Sequence, residues 1–365
     1  MISQVPSNPH QTITITITSL EGTADRSASP SLFSLPASHW RSGAGGRCRR
    51  PSGRCGVAAC SVVCGMASCR RLSGAALREV LGSAQGLLFD CDGVLWAGEA
   101  AVPGAPELLE RLQRSGKAAL FVSNNSRRSV AELELRFGRL GFRGVRAEHV
   151  FSSALCSALF LRQQLLGGGA GDGNAAGRVF VLGGEGLRGE VRDAGLRLVG
   201  DGEPGAEQVR AVLVGYDDRF TFAKLAQACA YLRDPRCLLV ATDPDPWHPL
   251  SDGQRTPGTG SLTAAVETAS GRKALVVGKP NTYMFDCIVE RFGIDPSRTL
   301  MVGDRLETDI LFGKNCGLST ILTLTGVSRL EEALAYMASD SPAAKDMVPN
   351  YYVNSIADLI PGLDE

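Results

Sequence analysis

Gly86-Leu87-Leu88-Phe89-Asp90-Cys91-Asp92-Gly93-Val94-Leu95-Trp96 constrains this chain more than any other stretch. An unbroken apolar run closed by a Gly turn reads as a central strand of a parallel sheet, buried on both faces. Ligands of such sheets bind at the carboxyl ends of the strands. Asp90 and Asp92 are therefore expected to project from a strand end into a cleft, and strand alternation would aim them to the same side. Two carboxylates that close repel unless a cation lies between them or one keeps a proton. A hard cation with oxygen ligands, most simply Mg²⁺, answers the first case. A capped strand end with two solvated carboxylates is the plainer alternative.

From Gln85 onward the chain alternates strand and helix, the signature of a parallel α/β architecture. Apolar strands are expected at 118–122, 149–152, 178–182, 211–215, 237–242, 274–277, 300–302 and 320–325, with helices between them. A helix is expected over 70–83, where Leu72, Ala76, Leu77, Val80 and Leu81 share helical spacing. Residues 167–173 are nearly all Gly and mark a flexible boundary. The loop from Asp243 to Gly260 is dense in Pro, Gly, Asp and His.

Before about residue 66 the character changes. A Thr-Ile alternation is followed by Ser-, Gly-, Pro- and Arg-rich sequence without helical period, which reads as disorder. Arg and Ser with few acids also suit a mitochondrial transit peptide, the weaker reading. The functional protein is expected to begin near Met66, with residues 1–65 as an extension.

With 365 residues, the chain is long enough for two modules. Its 38 basic and 38 acidic residues cancel, which gives no drive toward nucleic acid or an anionic membrane. No apolar run reaches the ~18 residues of a membrane span. The odd count of 11 cysteines includes six scattered through apolar contexts after residue 90, which suits reduced thiols and a cytosolic setting.

Four strand ends carry groups suited to phosphate chemistry: Asp90 with Asp92, Ser123 with Asn124 and Asn125, Lys279, and Asp304 with Asp309. Carboxyl ends of neighbouring parallel strands meet along one edge, so residues far apart in sequence can converge there. A carboxylate can attack phosphorus to form an aspartyl-phosphate. A second carboxyl can protonate the leaving alkoxide and then take a proton from water. A hydroxyl, amides and one Lys can hold the phosphoryl oxygens. Singly, each group has a bland reading as helix cap, turn or surface Lys; together they describe one site.

In these motifs the sequence resembles the haloacid dehalogenase superfamily of aspartate-nucleophile phosphatases. Asp90-Cys91-Asp92-Gly93-Val94-Leu95-Trp96, Phe121-Val122-Ser123-Asn124-Asn125-Ser126, Val277-Gly278-Lys279-Pro280 and Gly303-Asp304-Arg305-Leu306-Glu307-Thr308-Asp309 match its four motifs in order. The resemblance implies a Rossmann-like parallel-sheet core with an α/β cap domain inserted between the second and third motifs. It implies Asp90 as nucleophile and Asp92 as general acid and base. Mg²⁺ would be held by the carboxylates of Asp90 and Asp304 and the backbone carbonyl of Asp92, with Asp309 behind it in the water shell. Ser123, Asn124, Asn125 and Lys279 would hold phosphate.

About thirty residues separate the first two motifs and about 150 the second and third, so the lid is expected in the second gap. The expected division is an extension at 1–65, core at 66–166, cap at 167–272 and core again at 273–365.

Within the superfamily the chain is similar to the pyridoxal phosphate phosphatases, which share Asp245-Pro246-Trp247-His248-Pro249-Leu250 in the cap loop. That likeness implies His248 as a substrate contact and pyridoxal 5′-phosphate, with related vitamin phosphates, as substrate. It also implies a homodimer paired through the caps, with 257–261 as a candidate contact, and a possible phosphoprotein partner, the actin regulator cofilin, which would associate the protein with the cytoskeleton. The rival readings are a phosphoglycolate phosphatase and a catalytically silent scaffold; the latter conflicts with the presence of Asp90, Asp92, Lys279 and Asp304.

Overall fold

Seven parallel strands form the larger sheet of the computed structural model, which describes residues 69–166, 178–200, 208–250 and 254–364. The order is Arg70–Arg71, Tyr351–Val353, Ser319–Thr323, Thr299–Gly303, Gly86–Phe89, Ala118–Ser123 and Val150–Ser152. Gly86–Phe89 lies between Thr299–Gly303 and Ala118–Ser123, and all four of its residues are buried. Its unbroken apolar character follows from that place, because helices cover both faces of a parallel sheet. The expected extension, the predicted start at Met66 and the glycine run at 167–173 lie outside the described residues.

A second parallel sheet of five strands runs Leu275–Val276, Leu238–Ala241, Val209–Val214, Arg178–Leu182 and Arg197–Leu198. It has its own core of Phe180, Leu182, Val212, Val214, Leu239 and Val266. Helices Glu185–Asp193, Phe222–Tyr231 and Thr259–Ser270 accompany it. Sheet and helices together form a separate α/β layer between the second and third motifs.

Three local readings change. Arg70–Arg71 is an edge strand paired with Tyr351–Tyr352, and the helix begins only at Gly74, because two charged residues at a sheet edge satisfy their backbone there. The loop from Asp243 to Gly260 contains an antiparallel pair, Trp247–Pro249 with Arg255–Pro257, and the following helix starts at Thr259. Leu275–Val276 belongs to the second sheet, paired with Val240–Ala241, and not to the core sheet. The chain passes down from the lid only beyond Gly278.

The two layers interlock at named points. Helix Val130–Arg139 opens with a capping box, Ser129 and Glu132 exchanging bonds across its first turn. Its remaining Val130 N–H donates to Glu190 Oε1 of the lid at 2.6 Å. Gly186 makes that approach possible: a Cβ there would stand 2.5 Å from the Arg127 carbonyl oxygen. Tyr216 N–H of the lid donates to Ser126 Oγ at 3.0 Å.

Candidate active site

Beyond Phe89 the chain leaves the sheet as a tight turn. Leu95 N–H donates to the Cys91 carbonyl at 2.9 Å and Gly93 N–H to the Trp96 carbonyl at 2.7 Å. Gly93 has φ +88° and faces Asp304 so closely that a Cβ would meet its Oδ2 at 2.5 Å. Only glycine suits both the conformation and the gap. The turn, not strand alternation, therefore sets the directions of the two first-motif carboxylates. Asp90 points inward and is buried; Asp92 stands at the exposed rim.

Asp92 is held from both sides. Trp96 Nε1 donates to its Oδ1 at 2.8 Å, and Asn125 Nδ2 to its Oδ2 at 3.1 Å. The Trp96 ring is itself locked in an aromatic cluster, 4.9 Å from Phe137 and 6.2 Å from Phe142 between centroids. Edge-to-face packing of this kind fixes a ring more firmly than burial alone. An apolar cluster under the sheet thus orients an acid at the cleft rim.

Three carboxylates converge inside. Asp90, Asp304 and Asp309 each offer an oxygen within 4.8 Å of the others, and all three are buried. Asp309 Oδ2 accepts from the backbone N–H groups of Asp304 and Arg305, both at 3.0 Å. Asp304 Oδ2 accepts from Val327 N–H at 2.7 Å. One ammonium faces them. Lys279 Nζ lies 2.5 Å from Asp90 Oδ1 and 2.8 Å from Asp309 Oδ1, and donates to the Val122 carbonyl at 2.7 Å.

The charges do not balance. Burial pushes the Asp90 carboxyl up to about 7, against the pull of Lys279. Burial and the neighbouring Asp309 and Asp90 hold Asp304 well above the usual carboxylate range. Burial disfavours charge on Lys279, but Asp309 and Asp90 outweigh it and its pKa stands above the ordinary lysine value. Three buried acids against one amine, with only oxygen donors, fit a hard divalent cation such as Mg²⁺. The Asp92 carboxylate is not part of this cluster, and only its backbone carbonyl was expected at the metal; Asp309, expected in the water shell, offers its carboxylate directly.

Lys279 arrives by an unexpected route. Its strand lies in the lid sheet, so only three of the four motifs sit at ends of core strands. The chain is brought down by Val277 and Gly278, whose N–H groups donate to the carbonyls of Ala241 and Thr242. Asn124 then fixes the lysine: its Nδ2 donates to the Lys279 carbonyl at 3.0 Å, and its Oδ1 accepts from Lys279 N–H at 2.9 Å. Both ends of that amide are engaged on Lys279, so Asn124 positions the lysine backbone. Ser123 is buried and its Oγ accepts from Asn125 N–H at 3.2 Å. Asn125 is half-buried beside Asp92.

His248 comes from the lid hairpin and is half-buried, its ring centroid 5.8 Å from that of Tyr216. Burial pulls its pKa below the ordinary histidine value, with Asp245 opposing and Arg305 assisting. A neutral imidazole can accept as well as donate a hydrogen bond. Tyr216 was missed from sequence; nothing in its local pattern separates it from a packing aromatic. Gly258 and Gly260 of the expected dimer contact donate their N–H groups to the carbonyls of Pro246 and Asp245 within the same chain.

The profile of haloacid dehalogenase-like hydrolases matches residues 87–197, and a second HAD hydrolase-like profile matches residues 276–359. Chronophin from Homo sapiens is 72% identical over 303 residues, covering 82% of this chain and 100% of that protein. A glycerol-3-phosphate phosphatase from Gallus gallus is 51% identical over 312 residues, covering 81% of this chain and 97% of its own length. Among solved structures, a glycerol phosphate phosphatase from Mycobacterium tuberculosis in complex with magnesium superposes with TM-score 0.63 at 32% identity, covering 77% of this chain and 78% of that one.

Proposed function

Because the chain belongs to the haloacid dehalogenase-like hydrolases and is a phosphatase, we propose that it hydrolyses phosphomonoesters through an aspartyl-phosphate on Asp90, with pyridoxal 5′-phosphate and the related pyridoxine and pyridoxamine phosphates as its substrates. The observation that carries the mechanism is the placement of the two first-motif acids. Asp90 is buried beside Lys279, and Asp92 stands apart at the rim, held by Trp96 and Asn125. An asymmetric pair of this kind can divide nucleophile from proton carrier.

In the first step an Asp90 carboxylate oxygen bonds to phosphorus as the P–O bond to the leaving alcohol breaks. Asp92 in its acid form gives its proton to the departing oxygen. In the second step water attacks the same phosphorus, Asp92 takes the water proton, and the Asp90–phosphorus bond breaks to release inorganic phosphate. Lys279 keeps one Asp90 oxygen fixed and offsets the charge of Asp309. Ser123 and Asn125 hold phosphoryl oxygens, and Asn124 acts through Lys279. The carboxylates of Asp90 and Asp304, with Asp309 beside them, would hold Mg²⁺, which supplies neutralising charge for the approach of two anions.

The pairing of His248 with Tyr216 supports the substrate reading. Two ring systems at the lid offer stacking and one switchable hydrogen bond, which suits a heteroaromatic ester better than a small aliphatic one. The test is phosphate release from pyridoxal 5′-phosphate, glycerol 3-phosphate, phosphoglycolate and a phosphoserine peptide from the cofilin terminus, with His248→Ala beside the wild type. Preference for the pyridoxal ester that H248A abolishes supports the reading. Preference for an aliphatic ester, untouched by H248A, overturns it. The same reading places the protein in the cytosol as a dimer joined through its lids, which sedimentation at micromolar concentration checks. No helix among the described residues is long and apolar enough to cross a membrane, and the seven cysteines among them are all free.

A further inference from the structure

Arg305 follows Asp304 directly, yet its side chain leaves the carboxylate cluster and crosses to the lid. It is buried, with Nη1 donating to Asp245 Oδ1 at 3.3 Å and Nη2 to the Trp247 carbonyl at 3.2 Å. Its guanidinium carbon lies 5.0 Å from the Trp247 ring centroid. Arg255 stacks on the same ring at 3.7 Å. Asp245 is only 7% exposed, and the cation paired with it is Arg305. A buried carboxylate left without its partner is strongly disfavoured.

The lid segment that Arg305 grips is rigid on its own side. Asp245 N–H donates to Asp243 Oδ1 at 3.2 Å, Gly260 N–H donates to the Asp245 carbonyl at 2.9 Å, and Ser261 Oγ donates to the Pro246 carbonyl at 2.6 Å. His248 is the next residue along. A planar fork that bonds a carboxylate and a carbonyl together while lying near an indole is a geometry that lysine cannot reproduce. Both terminal nitrogens of the fork donate to the lid.

We propose that Arg305 is a positioning residue: it latches the loop that carries Asp304 to the lid segment Asp245–Trp247, and so sets His248 over the bound ester. The inference rests on the phosphatase reading above and deepens it, because it names what joins the metal-binding loop to the residue that selects the leaving group.

The test uses the full chain with saturating Mg²⁺ and four proteins: wild type, Arg305→Met, Asp245→Asn and the double variant. D245N leaves the core loop untouched, so it stands in should R305M fold poorly. KM and kcat are measured for pyridoxal 5′-phosphate and for p-nitrophenyl phosphate, which has no ring substituents placed for His248. Each single variant is expected to raise KM for the pyridoxal ester about tenfold, the worth of one charge-assisted bond. Turnover of p-nitrophenyl phosphate is expected to stay within about twofold, and the double variant is expected to be no worse than either single one. Equal losses on both substrates would assign Arg305 to the carboxylate cluster and overturn the latch. Unchanged KM values, or additive losses, would overturn it as well. Should the wild type release no phosphate from pyridoxal 5′-phosphate, the substrate reading fails alone. The latch is then decided by Trp247 emission, taken as the difference from Trp247→Phe: a red shift in R305M upholds it, and an unchanged spectrum overturns it.

Discussion

Glu190 is 5% exposed, sits on a lid helix, and accepts the Val130 N–H of a core helix at 2.6 Å. Burial pushes its carboxyl from the ordinary 4.5 up to about 7; the Val130 bond pulls it down, and Asp193 and Glu132 push it further up. Below about pH 4.5 the group is protonated in both folded and unfolded chains and contributes no pH dependence. Between 4.5 and about 7 the unfolded chain loses the proton while the folded chain keeps it, so stability falls as pH rises. Above about 7 both are ionised and the loss is complete. The difference of roughly 2.5 units corresponds to about 3 kcal/mol in total. Glu190→Gln keeps an acceptor for Val130 and cannot ionise. Its stability relative to wild type should therefore climb by about 3 kcal/mol between about pH 4.5 and about pH 8. In a chain of this size that is a relative gain in Tm of about 5 °C. Denaturant or thermal unfolding of both proteins across that range reads it directly. Parallel curves, with a difference that does not change with pH, would refute the reasoning, because a buried acid that costs nothing to ionise has no raised pKa.

Other outcomes follow from the carboxylate cluster and its surroundings. Asp90→Asn should lower phosphate release by at least about 10³-fold while raising Tm in metal-free buffer, because one of three mutually repelling buried acids is removed; activity and calorimetry check the two halves. Chelation should abolish turnover, and readdition of Mg²⁺ should raise the wild-type Tm with a concentration dependence that D90N weakens. Lys279→Met leaves Asp90 and Asp309 without their buried partner and should cost about 3–5 kcal/mol in urea unfolding. Gly186→Ala drives a Cβ onto the Arg127 carbonyl and should destabilise by about 1–3 kcal/mol, seen as earlier thermal unfolding.

Much of the framework was legible in sequence because it is local. An all-apolar run such as Leu87-Leu88-Phe89 has few places to go but the middle of a parallel sheet, and the strands around it follow the same rule. The helices at 130–139, 153–166 and 283–292 fill the gaps between the expected strands. Misreadings arose where tertiary context outvoted pattern. Leu72, Leu77 and Leu81 fit one long helix, yet Arg70–Arg71 is drawn off by pairing with Tyr351–Tyr352. The loop holding His248 looked irregular because its strands are three residues each, too short to show alternation.

What the amino-acid order determined by itself was the inventory: which acids, amides and amine end up at strand ends, and in which sequence, since apolar periodicity and turn chemistry are properties of neighbouring residues. The tertiary structure alone decided their division of labour. Asp90 and Asp92 are two residues apart, but one is buried against Lys279 and the other is held at the rim by Trp96 and Asn125. Asp304 and Asp309 join Asp90 across more than two hundred residues of chain, Asn124 bonds the backbone of Lys279, and Arg305 turns from the Asp304 loop to the lid. Burial and charge pairing depend on what surrounds a group from every direction, and only the folded chain supplies those neighbours.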